Sequence, residues 1–82
     1  MELSFTQKRL LQFCKDNDFH ATLQQFIDVN SGLDRDSIIE EFHELKRCHI
    51  ASAGHTDFDG FIGVTNYGWK LMGWSREQAY NW

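Results

Sequence analysis

The sequence predicts a small α+β domain in which three helices precede a β-hairpin and a short helical segment. Apolar residues recur at helical spacing through the first 47 residues. After residue 48, short β-branched and aromatic stretches flank a polar turn bounded by glycines. The 82 residues, 41% of them hydrophobic, suffice for one core. We therefore assign residues 1–82 to a single domain.

The first helix is predicted over about residues 4–16. Ser4 and Gln7 form a capping-box pattern, in which each side chain satisfies a backbone N–H group of the other residue. An apolar face follows at helical spacing: Phe5, Leu10, Leu11, Phe13 and Cys14. The run Asp16–Asp18 ends this helix.

The second helix is predicted over about residues 22–30, where Thr22 and Gln25 repeat the capping box. It is followed by Gly32, which is expected to supply a left-handed C-cap. The third helix is predicted over about residues 34–47, with Asp34 as its N-cap. Its apolar stripe comprises Ile38, Ile39, Phe42 and Leu45.

The hairpin is predicted over about residues 49–65, with its turn between Gly54 and Gly60. Thr65 or Asn66 then begins a C-terminal helical segment over about residues 66–80, which Gly73 interrupts. After Gly73, the stretch Ser75–Gln78 is another capping box.

This order of helices and hairpin resembles a winged helix-turn-helix. The stretch TLQQFIDVNSGLDRDSIIEEFHELKRCHI resembles the pattern of the MarR- and PadR-like transcription regulators, whose third helix ends L-K-R-x-x-I before the wing. The stretch VTNYGWKLM is similar to the L-T-x-x-G-x-x-L segment that follows the wing in this family. The resemblance covers about residues 4 to 73 and rests mainly on packing and capping residues.

The resemblance implies a stand-alone DNA-binding transcriptional regulator, which would be dimeric. The family's base-contacting positions fall in the turn and the early third helix: Ser31, Asp34, Arg35, Asp36, Ser37, Glu40, Glu41 and Glu44. The residues best suited to contact DNA are Arg35, Ser37, Lys46 and Arg47.

The net charge of the chain favours a partner other than DNA. The chain carries a net charge of −4, and DNA affinity depends largely on contacts between cations and phosphates. No Lys or Arg occurs between residues 48 and 69, and the predicted wing tip carries His55, Asp57 and Asp59. We therefore prefer a protein-interaction module to a DNA-binding regulator.

Two surfaces are candidates for binding a protein. The first is the acidic face of the third helix, which consists of Asp36, Glu40, Glu41 and Glu44. It is either a partner site, which would imitate the charge of a nucleic acid, or a plain solvated face. The second is the aromatic C-terminus with Trp74, Tyr80 and Trp82, which is either core or an exposed patch. A phage or mobile-element inhibitor or antirepressor, bound to a regulatory or nucleic-acid-handling protein, fits so short an acidic chain.

The sequence indicates no catalytic, cofactor or metal site. Asp57 and Asp59 lack the further ligands of a calcium loop, and His43, Cys48 and His49 do not have the spacing of a zinc site. Cys14 and Cys48 are expected to be buried free thiols, which favours a cytoplasmic location. No transmembrane or secretory segment is predicted.

Overall fold

The computed structural model describes residues 2–53 and 58–74 of the chain. Their elements are α1 (Phe5–Asp16), α2 (Leu23–Val29), α3 (Arg35–Arg47), β1 (Ala51–Ala53), β2 (Ile62–Val64) and α4 (Asn66–Met72). The predicted α+β class is confirmed. The remainder of the predicted C-terminal helical segment, residues 75–80, lies outside the described residues.

The three N-caps predicted for α1, α2 and α3 are all present. Ser4 caps α1 and Thr22 caps α2, each in a reciprocal capping box. Asp34 caps α3 by accepting a hydrogen bond from the Ser37 amide at 2.9 Å. These caps depend on residues three positions apart, so the sequence contains all the information that forms them.

The left-handed C-cap predicted at Gly32 is wrong, because Gly73 is the only described glycine with a positive φ. Asn30 ends α2 instead. Its Nδ2 donates to the Phe26 carbonyl at 2.8 Å, and its backbone amide donates to the Ile27 carbonyl at 3.2 Å. Since the side chain itself satisfies a terminal carbonyl, α2 needs no left-handed residue at its end.

Strands β1 and β2 form an antiparallel pair in which Ala51 is opposite Val64. The segment before α2 joins the other edge of β2. Thr22 forms an antiparallel bridge with Phe61, and the Ile62 amide donates to the Ala21 carbonyl at 2.9 Å. β2 therefore lies between β1 and the Ala21–Thr22 segment, an arrangement that the sequence pattern does not indicate.

The core draws on all of the helices and both strands. Its largest fully buried side chains are Phe26, Phe42, Leu10, Leu11, Leu23, Ile38, Leu45, Ile50, Ile62, Val64 and Cys14. The prediction that Phe5 belongs to the apolar face of α1 is wrong, because 70% of its surface is exposed. Gln7 takes the buried position at this end of α1 and is only 2% exposed.

Candidate interaction surface

A shallow acidic groove of about 310 Å³ lies between the start of α1 and the first half of α3. Its lining residues are Thr6, Asp34, Asp36, Ser37, Glu40 and Glu41. The structure thus brings three of the four predicted acidic partner-binding residues into one depression. Glu44, the fourth, lies one turn further along α3, is half-buried and does not line the groove.

Asp36 and Glu40 are the exposed acidic side chains in the helical part of this groove. Within the described part of the chain, neither carboxylate has an ion pair or a hydrogen bond. They lie four residues apart on α3, so their charges repel each other weakly. A cationic group placed in the groove would relieve that repulsion and would find both carboxylates accessible.

Glu41 lines the groove and also forms hydrogen bonds that stabilise the fold. Its carboxylate accepts a hydrogen bond from the Ser4 hydroxyl, and its backbone carbonyl accepts one from Gln7 Nε2 at 3.3 Å. Ser4 and Gln7 are the two residues of the α1 capping box. Because α1 has no acidic residue in its first turn, Glu41 also supplies the negative charge that a helix N-terminus favours.

The residues proposed to contact DNA lie mostly in intramolecular contacts. The Arg35 guanidinium lies 5.2 Å from the centre of the Phe58 ring, and Lys46 Nζ lies 5.7 Å from that of Phe42. The Ser37 hydroxyl donates to Asp34 at 3.0 Å. Arg47 is exposed near the end of α3.

The described member of the predicted aromatic surface, Trp74, is half-buried in a cluster of rings. Its ring lies 5.0 Å from that of Trp69 and 6.2 Å from that of Phe19, with Lys15 Nζ 5.3 Å from its centre. Trp74 therefore packs against the core. Tyr80 and Trp82 lie outside the described residues.

A second groove, of about 260 Å³, lies between α1 and α2 and was not predicted as a site. Its lining residues are Arg9, Gln12, Phe13, Asp16, Phe26, Val29 and Asn30. Arg9 follows Phe5 by four residues, so both side chains lie on one side of α1. That spacing was visible in the sequence, but the assignment of Phe5 to the core concealed it.

The two thiols differ in environment. Cys14 is fully buried, and this burial raises the pKa of its thiol to about 12. Cys48, predicted to be buried, is only partly so. Across residues 2–53 and 58–74, no three His, Cys, Asp or Glu side chains come together as a set that could hold a metal ion.

Comparison with protein-family models, with curated proteins and with solved structures gave no match to this chain. In the described ranges, no helix has both the length and the apolar character needed to cross a membrane.

Proposed function

We propose that this chain is a winged-helix protein-interaction module whose acidic groove binds a cationic surface of a partner protein. One observation carries the proposal. Three exposed carboxylates line the groove, those of Asp34, Asp36 and Glu40, and within the described residues only that of Asp34 is hydrogen-bonded. The cations of the same helix, Arg35 and Lys46, lie over aromatic rings.

The winged-helix part of the proposal is supported by the order of the elements. Three helices are followed by an antiparallel hairpin, and the segment before α2 pairs with the second strand. The hairpin then leads into α4, where Thr65 is the N-cap and Gly68 is buried. Proteins of this fold class include both DNA-binding and protein-binding members. The residues exposed on the surface must therefore distinguish the two roles.

The surface chemistry favours a protein. A helix that enters a DNA groove lies against phosphates, which repel carboxylates. A protein partner can instead present Lys or Arg side chains, and electrostatic complementarity of this kind accelerates association and selects the partner. Proteins that handle nucleic acids carry such cationic surfaces, which supports a role as an inhibitor or antirepressor of a regulatory or nucleic-acid-handling protein.

The test is affinity capture from the source cell with matched charge variants. The variant Asp36→Asn/Glu40→Gln removes two charges from the groove, and Asp16→Asn/Asp28→Asn removes two from exposed positions on α1 and α2. We expect a partner that is captured by the wild type and the control but lost with the groove variant. Equal capture by all three proteins would contradict the proposal.

The alternative function, DNA binding, is favoured by one specific contact. The stacking of Arg35 on Phe58 joins the start of α3 to the hairpin, the two elements that a winged helix places on DNA. Titration with random duplex DNA over a salt series separates the two functions. Binding at about micromolar affinity with a steep decrease at higher salt would favour the regulator.

A further inference from the structure

The second groove borders a face on which apolar side chains surround one cation. Phe5 is 70% exposed, Val29 65% and Leu33 36%, and these are three of the five large apolar side chains that are exposed in the described part of the chain. Arg9 lies between Phe5 and Val29, because it contacts the Phe5 ring and lines a groove with Val29. We call Phe5, Arg9, Val29 and Leu33 the Arg9 face.

The Arg9 guanidinium is held in place by neutral partners. It donates to Asn30 Oδ1 at 2.7 Å and lies 5.4 Å from the centre of the Phe5 ring. Asn30 is itself fixed, because it is 9% exposed and its Nδ2 donates to Phe26. Among the described residues, no carboxylate forms an ion pair with Arg9. With respect to the described residues, its positive charge is therefore oriented but not paired, as in a site that receives a carboxylate.

The Arg9 face and the acidic groove are neighbours on one surface. Thr6, which lines the acidic groove, precedes Arg9 by three residues and so lies beside it on α1. On the opposite side, the Leu33 amide donates to the Asn30 carbonyl at 2.9 Å, and Leu33 directly precedes Asp34 of the groove. Arg9, flanked by the exposed apolar side chains, thus lies directly beside a group of carboxylates.

We propose that this surface binds a second copy of the chain about a two-fold axis. Two-fold interfaces require a patch that is complementary to itself. With the axis midway between Arg9 and Glu40, each Arg9 lies opposite the acidic groove of the other copy. Phe5 and Val29, which flank Arg9, then lie against the edges of that groove. An exposed aromatic residue beside an oriented arginine is the composition typical of interface centres.

The charges on the surface argue for a second copy as the occupant. One half of the surface carries the cation Arg9, and the other half carries the carboxylates of the groove. Two copies of the chain can therefore supply both sides of the interface. Self-association covers the carboxylates that the proposed function uses, and it would compete with partner capture. The two claims can fail separately, because association is measured on the protein alone.

The test is sedimentation velocity over a concentration series with charge-reversed variants. Arg9→Glu and Glu40→Lys each place like charges opposite one another in the dimer, so each should raise the dimer dissociation constant by about tenfold or more. An equimolar mixture of the two variants keeps both opposite-charge pairs in a heterodimer, and its association should return to that of the wild type. Lys70→Glu, at an exposed position of α4, is the control and should leave the dimer unchanged.

Restoration in the mixture, after loss in each variant, is the result that supports the two-fold interface. A monomeric wild type at every concentration would overturn it, and so would a dimer that Arg9→Glu leaves intact. Far-UV circular dichroism checks the fold of each variant. If a reversed variant does not fold, Arg9→Gln and Glu40→Gln replace the pair, and unchanged association in both then overturns the proposal.

Discussion

Gly68 lies so close to the Ile50 carbonyl oxygen that a Cβ atom on Gly68 would come within 2.6 Å of it. The same Cβ would lie 2.6 Å from Val64 Cγ1. Thr65 holds Gly68 close to Ile50. The Thr65 amide donates to the Ile50 carbonyl at 2.9 Å, and the Thr65 hydroxyl accepts from the Gly68 amide at 3.1 Å. The T-x-x-G spacing therefore packs α4 against the hairpin.

Gly68→Ala should destabilise the protein by about 1–3 kcal/mol, because neither a backbone carbonyl nor a buried valine can easily move away from the added methyl group. Alanine would gain about 1 kcal/mol of helix propensity, which offsets only part of this cost. Urea denaturation measures the difference. Gly32→Ala is the matched control, since its Cβ would meet nothing within 4 Å. Equal stability of the two variants would contradict this account.

The parts of the fold that depend on local sequence were predictable. The capping boxes at Ser4 and Thr22 and the cap at Asp34 involve residues three positions apart, and all three occur as expected. Helix periodicity likewise identified α1, α2 and α3. These features need no knowledge of the tertiary structure.

The features that were missed depend on contacts between distant parts of the chain. Glu41 belongs to the cap of α1 through a hydrogen bond with a residue 37 positions away. The pairing of Thr22 with Phe61 spans a similar separation. At the start of α1, helical spacing places position 7 in register with Leu10, Leu11 and Cys14, but the sequence does not show that a polar residue can be buried there. Gln7 is buried because its polar atoms have partners in Ser4 and Glu41.

The two thiols should differ in reactivity and in their effect on stability at alkaline pH. Near pH 8 an alkylating reagent should modify half-buried Cys48 much faster than Cys14, whose pKa is raised to about 12 by burial. A raised folded-state pKa means that the folded protein retains the proton longer than the unfolded chain. The free energy of unfolding should therefore decrease as the pH rises from about 9 towards about 12.

Mass spectrometry of partly alkylated protein identifies the faster thiol. For the pH dependence, urea denaturation of the wild type is compared with Cys14→Ala, in which this contribution to the slope should be absent. Identical slopes in the two proteins, or faster modification of Cys14 than of Cys48 under native conditions, would contradict the assigned environments.

Asn30→Ala should lower the free energy of unfolding by about 1–3 kcal/mol, because it leaves the buried Phe26 carbonyl without its side-chain partner. Asn17 provides a matched comparison. Its Nδ2 donates to the Phe13 carbonyl at 2.8 Å, the same contact one helix earlier, but at an exposed site. Water can replace that donor, so Asn17→Ala should cost less than Asn30→Ala in thermal or urea denaturation. The reverse order would show that burial does not control this cap.

Glu40 and Glu41 are adjacent acidic residues with different roles, and alanine substitution should separate them. Glu41→Ala removes the acceptor of the Ser4 hydroxyl and should cost about 1.5–3 kcal/mol of stability, the usual range for a hydrogen bond to a charged group. Glu40→Ala should change stability by no more than about 0.5 kcal/mol, since the side chain is exposed and has no partner within the described residues.

A double-mutant cycle of Ser4→Ala with Glu41→Ala should show a coupling energy of about 0.5 kcal/mol or more. Additive effects in that cycle would show that the Glu41 carboxylate does not stabilise the fold through Ser4. The carboxylate would then be available to bind a partner in the groove.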